Sequence, residues 1–196
     1  MKISCAQMDM RLGDEAYNYA HAEELIREAV GRDGADVVVL PETWNTGYFP
    51  EDLAAHADQD GERTKGVFSA LAKELNVNIV CGSVANRRGD KFYNTAYVFD
   101  RAGACVAEYD KTHLFTYAKE HEHFQPGDHT CRFQLDGVDC GLIICYDIRF
   151  PELTRTLTVQ GVDLLFVVAQ WPDKRTMHLE TLARARAIEN QMFLAL

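Results

Sequence analysis

The segment ADVVVLPE, residues 35–42, constrains the fold more than any other stretch of this 196-residue chain. It is short, nearly all apolar, rich in β-branched residues, and it stops at a glutamate. A strand of that composition has no polar side to offer water, so it has to be covered on both faces. VNIVCGSV predicts another strand further along, and VDLLFVV a further buried one. Layers must therefore pack on these strands, and amphipathic stretches supply them. Residues 15–30 place Ala22, Leu25, Ile26, Ala29 and Val30 at i, i+3, i+4, i+7, i+8 spacing, which predicts a helix. Residues 63–75, 151–160 and 173–190 predict three more, the last with Leu179, Leu182 and Ala183 on one side.

The middle of the chain reads differently. FYNTAYVFD and CVAEYDK, joined by the turn signal RAGA, predict a hairpin with period-two alternation. TCRFQLD and VDCGLIIC predict two further strands joined at Gly137, KISCAQM a first strand and MFLAL a last one. The order implies an α/β fold with a mixed sheet, or two packed sheets with helices outside. Residues 1–196 read as one domain, since 47% of the chain is hydrophobic and no repeat or linker divides it. MFLAL breaks off without a cap or polar tail, so the final strand reads as cut short.

A formal charge of −10 argues against nucleic acid or an anionic membrane as partner. It leaves room for an anionic small molecule in a locally basic pocket. No run of about 20 apolar residues and no signal-peptide core occurs. The six cysteines are scattered, with no pair at CxxC spacing. That is unlike a secreted disulfide framework and implies a cytoplasmic protein with reduced thiols.

Three strand ends carry residue types with chemistry. Cys145 closes GLIIC and precedes the polar turn YDIRFPEL, where helix N-terminal N–H groups favour a thiolate; the alternative is a cysteine packed as a small hydrophobe. Glu42 closes VVVLPE, either as a desolvated base or as a solvated turn residue. Lys111 follows VAEYD, either to hold an oxyanion or to point into water. Amide hydrolysis through a thiol needs a nucleophile, a base that later serves as acid, and a donor for the oxyanion. Cys145, Glu42 and Lys111 fill those roles without a histidine.

LPETWNTGY around Glu42, YDKTHLF around Lys111, CGLIICYDIRFPEL around Cys145 and RARAIENQ near the end resemble the nitrilase superfamily of carbon–nitrogen hydrolases, in the family's order. The resemblance spans nearly the whole chain. It implies a four-layer α-β-β-α sandwich, a Glu42, Lys111, Cys145 catalytic set and a homodimer formed through the helical outer faces. It also implies a second glutamate nine positions after the lysine, Glu120, which orients substrate and Lys111; the alternative for Glu120 is a solvated loop charge. The backbone N–H of Tyr146 is expected to join Lys111 in the oxyanion hole. HLF, EHEHF, CYDIRFPEL and QWPDKR look most like the ω-amidase branch, which acts on short dicarboxylic acid monoamides such as 2-oxoglutaramate. Other small amides and N-carbamoyl compounds stay open as substrates. Arg149 or Arg175 is expected to meet a substrate carboxylate, unless each forms an ordinary salt bridge. Trp171 and Phe150 are expected at the pocket wall. Relatives of this kind run about 60 to 80 residues further, so the chain reads as truncated at its C-terminus.

No cofactor or metal is implied. A rival metal-hydrolase reading rests on His113, His121 and His123 with Glu120 and Glu122, but these lack H-E-x-x-H spacing and a distant ligand group. A second rival keeps the fold as a binding module without catalysis.

Overall fold

The computed structural model describes residues 1–196. Its strands are β1 (Ile3–Cys5), β2 (Val37–Val39), β3 (Asp58–Gln59), β4 (Asn78–Arg88), β5 (Lys91–Phe99), β6 (Cys105–Asp110), β7 (Cys131–Leu135), β8 (Val138–Ile144), β9 (Leu164–Val168) and β10 (Phe193–Ala195). The helices are α1 (Glu15–Asp33), α2 (Leu53–His56), α3 (Glu62–Leu75), α4 (Pro151–Val159) and α5 (Thr176–Asn190). One sheet runs β1-β2-β4-β5-β6, with β3 on the flank of β4; the other runs β10-β9-β8-β7.

Three apolar layers separate four structural ones. On β2, Val38 faces a cluster with Ala22 and Ile26 of α1 and Phe68 and Leu71 of α3. Its neighbours Val37 and Val39 face the other way, against Leu142, Ile144 and Phe166 of the second sheet. The far side of that sheet, through Ile143, Leu165 and Val167, packs on Leu153 and Leu157 of α4 and Ala183 of α5. The period-two geometry of a strand thus turns an all-apolar run into two buried faces. The result is the α-β-β-α sandwich.

Two expectations change. The β5–β6 hairpin forms with antiparallel register, but β5 is buried from Asn94 to Phe99 instead of alternating. It lies inside the sheet, so Tyr97 and Phe99 meet the helical layer while Ala96 and Val98 meet the second sheet. On α5 the buried residues are Ala183, Arg186 and Asn190, while Leu179 and Leu182 are only partly covered. Arg186 Nε donates to the Ile148 carbonyl at 3.0 Å, so a polar contact ties this helix to the turn after Cys145. The β7–β8 turn does fall at Gly137, with Asp136 and Gly137 both at positive φ (49° and 80°) as a two-residue hairpin demands. No helix is long and apolar enough to cross a membrane.

Candidate active site

The site lies where β2, β6, β8 and β9 end. Glu42 comes from the loop after β2, and its placement depends on β4. The ladder between β4 and β5 is interrupted between Val80 and Ser83, where Gly82 sits at φ +59 against the Pro41 carbonyl, leaving no room for a Cβ. Ser83 N–H donates to Pro41 O at 3.0 Å, and Ser83 Oγ accepts from Thr43 N–H at 3.0 Å. Trp44 then drops into the outer core with its indole N–H on Cys81 O at 2.7 Å. The chain is pinned on both sides of Glu42, whose side chain is left facing inward. Thr43 takes φ +42 in consequence.

Cys145 directly follows β8 and has φ +47, a left-handed conformation costly for a non-glycine residue. Asp147 holds that turn. Fully buried, it accepts from Ile144 N–H at 3.0 Å, Tyr109 Oη–H at 2.8 Å, Thr112 Oγ1–H at 3.1 Å and His113 N–H at 2.9 Å. One carboxylate therefore fastens the cysteine turn to the loop that follows Lys111.

Glu42, Lys111 and Glu120 have no solvent exposure. Lys111 Nζ lies 2.8 Å from Glu42 Oε1, 2.8 Å from Glu120 Oε2 and 3.1 Å from Glu120 Oε1. Asn94 Nδ2 donates to Oε1 of both glutamates, at 2.9 and 3.0 Å. Gln170 N–H donates to Glu42 Oε2 at 2.9 Å, and Phe115 N–H to Glu120 Oε2 at 2.6 Å. Burial disfavours the Lys111 ammonium, but Glu42, then Cys145 and Glu120, outweigh it and hold its pKa well above the ordinary lysine value. Several kcal/mol per ion are needed to strip such charges of water, so this cluster is a poor way to gain stability. Buried ionisable groups packed together at strand ends are the usual mark of a reactive centre.

The thiol does not behave as the helix-terminus argument expects. Burial drives the Cys145 pKa well above the ordinary value; Glu42 adds to the rise, and Lys111 opposes it without reversing it. The turn from Cys145 to Arg149 is a single short 3₁₀ segment, and the α-helix begins only at Pro151, so little dipole reaches the sulfur. The Cys145 Sγ lies 3.5 Å from the Gln170 carbonyl.

Cys145 opens onto a cavity of about 480 Å³ that Tyr48, Tyr146, Arg149, Trp171 and Arg175 also line. Arg149 and Arg175 form no ion pair. Their guanidinium groups lie over aromatic rings instead: Arg149 at 5.2 Å from Trp171 and 5.7 Å from Tyr146, Arg175 at 5.2 Å from Tyr117. Phe150 leaves the wall and stacks on His113 at 3.7 Å. Glu120 points into the site, whereas His121, Glu122 and His123 on the same short turn are exposed. His113 pairs with Asp147, and no three His, Cys, Asp or Glu side chains converge as a metal-binding group.

Asn94, Gln170, Asp147 and Tyr48 join the site without standing out in the sequence. Gln170 had a signal, since it ends VDLLFVVAQ as Glu42 and Cys145 end their runs. Asn94, a polar residue within a buried strand, had a weaker one.

A sheet-end thiol beside a buried Glu–Lys–Glu cluster and a cavity defines a class, the thiol hydrolases that work without histidine. Comparison with known proteins makes this more particular. The carbon–nitrogen hydrolase family model matches residues 2–196. The 2-oxoglutaramate amidase of Bacillus subtilis is 44% identical over 193 residues, covering 98% of this chain and 74% of that protein. A hydrolase encoded in the agr operon of Staphylococcus aureus is 40% identical over 195 residues, with coverage of 98% and 74%. Among solved structures, Nit3 of Saccharomyces cerevisiae, a member of branch 10 of the nitrilase superfamily, superposes with a TM-score of 0.90 at 26% identity, over 99% of this chain and 73% of that one. This chain belongs to the carbon–nitrogen hydrolase family of the nitrilase superfamily, and it is an amidase-type enzyme.

Proposed function

We propose that the enzyme is an ω-amidase, removing ammonia from the terminal amide of a short dicarboxylic acid monoamide such as 2-oxoglutaramate. The observation that carries the substrate class is the pair of arginines, Arg149 and Arg175, lining the same cavity as Cys145 with no acidic partner. A guanidinium stacked on an aromatic face keeps its in-plane N–H fork for a planar anion, and a substrate carboxylate fits that fork. The likeness to a 2-oxoglutaramate amidase supports the same choice.

In this reading Glu42 takes the thiol proton through Oε2 as the sulfur attacks the amide carbon. Burial and Glu42 both disfavour a free thiolate here, so the proton passes to Glu42 as the sulfur attacks. The oxyanion is held by Lys111 Nζ and by the N–H of Tyr146, in the first turn of its segment, where backbone donors have no intrahelical acceptor. Glu42 returns the proton to the leaving nitrogen, and ammonia departs. Water deprotonated by Glu42 then attacks the thioester, releasing the acid and restoring the thiol. Glu120 keeps Lys111 oriented throughout. Trp171 forms the wall beside Arg149.

Residues 1–196 are read as one catalytic domain in a cytoplasmic homodimer. Val159 on α4 and Ile188 on α5, 80% and 76% exposed on the helical outer layer, support that association.

Ammonia release from 2-oxoglutaramate and from neutral amides, by the wild type and Cys145→Ala, tests the reading. It requires turnover that prefers the carboxylate substrate and vanishes in C145A. Preference for neutral amides would remove the substrate assignment, and an active C145A would remove the mechanism.

A further inference from the structure

Glu42 and Glu120 both contact the single Lys111 ammonium, each at 2.8 Å, and a further neutral group has to hold the two glutamates in place around it. We infer that Asn94 is that positioning residue, the neutral donor that lets Glu42 and Glu120 share a single lysine. Its one amide nitrogen donates to Glu42 Oε1 at 2.9 Å and to Glu120 Oε1 at 3.0 Å, using both of its hydrogens. Its backbone carbonyl accepts the N–H of Lys111 at 2.9 Å. One residue thus touches the base, the second glutamate and the lysine.

A second observation separates this role from packing. Asn94 is fully buried, yet its Oδ1 has no hydrogen-bond partner. A buried carbonyl oxygen without a donor carries a desolvation penalty, which an apolar residue of similar size would avoid. What holds an amide at this point of β5 is its NH₂ group. The two glutamates need further donors at this point, and a carboxamide supplies two N–H groups from one nitrogen without adding a charge to the cluster.

The inference rests on the proposed roles of Glu42, Lys111 and Cys145, and Asn94→Asp tests it. The new carboxyl is nearly isosteric, sits between two carboxylates, and is therefore protonated at low pH, where its single O–H still donates to one of the two glutamates. As pH rises it ionises, the donor is lost and a third negative charge enters the cluster. Relative to wild type, kcat/KM of N94D is expected within about tenfold near pH 5 and about 100-fold down near pH 8. A uniform loss across pH, or none, overturns the inference. C145A measured alongside separates the two failures: activity in C145A sinks the reading of the site, whereas a dead C145A with an unshifted N94D profile sinks only the role of Asn94. If N94D folds poorly, its melting temperature carries the test. The pKa of the introduced carboxyl is raised in the fold, so stability relative to wild type must fall as pH rises from about 5 to 8. A deficit independent of pH counts against the inference.

Discussion

Replacing Glu120 by glutamine tests the cluster through two readouts that should move in opposite directions. Glu120 accepts four contacts: Lys111 Nζ at 2.8 and 3.1 Å, Asn94 Nδ2 at 3.0 Å and Phe115 N–H at 2.6 Å. A carboxamide supplies only one oxygen. With its NH₂ in the Oε2 position it confronts Lys111 and Phe115; in the Oε1 position it confronts Lys111 and Asn94. Removing one partner from a buried ion pair costs about 3–5 kcal/mol. Lys111 retains Glu42, so the lower end applies, about 3 kcal/mol. If that loss falls on the step in which Lys111 holds the oxyanion, kcat/KM drops about 100-fold. The thiol should respond the other way. Glu120 is one of the charges that raise the Cys145 pKa, so its neutralisation makes the sulfur easier to ionise. Ammonia release and the rate of iodoacetamide labelling at Cys145, measured on a variant with native circular dichroism, read both effects. Turnover within about fivefold of wild type, or labelling that slows along with it, would refute this role for Glu120.

Other expectations follow from the cavity and from the buried thiols and phenols. Arg149→Met and Arg175→Met should each lower kcat/KM for a carboxylate-bearing amide by about 10- to 100-fold, the worth of a hydrogen bond to a charged group, and leave a neutral amide such as butyramide nearly unaffected; equal losses on both substrates would mean that the arginines shape the wall without binding the carboxylate. Burial raises the pKa of Cys140 to about 11 and of Cys131 to about 12, and raises Cys81, Cys145, Tyr97 and Tyr109 as well. The folded chain therefore keeps protons that the unfolded chain releases above about pH 8.5, so stability is full below that pH and falls above it. The melting temperature should drop steeply between about pH 8.5 and 10.5, and a flat curve there would contradict the burial of these groups.

Much of this molecule is legible in its sequence, for identifiable reasons. β2 and β9 are short and wholly apolar, so their place inside a layered fold follows from composition. Glu42, Lys111 and Cys145 stand out because each ends or follows a strand, and the structure brings Glu42 and Lys111 into direct contact. The rest depends on three-dimensional placement. Glu120 looks like one charge in a solvated run, and only the short turn that buries it while exposing His121 and Glu122 distinguishes it. Asn94 and Asp147 act through contacts across 52 and 34 residues of chain, to Glu42 and His113. No local pattern announces such a pairing. The charge state of Cys145 is likewise invisible, because it is the balance of burial and Glu42 against Lys111.

The proposed chemistry depends on Cys145 carrying the acyl group of its substrate. Acid quenching during turnover of a slow ω-amide, followed by digestion and mass spectrometry, looks for that group directly. The expected result is the substrate's acyl mass as a thioester on the peptide containing Cys145, absent from C145A. An acyl group on the exposed Cys5 or Cys105 instead, or none on any of the six cysteines while ammonia is released, would contradict it.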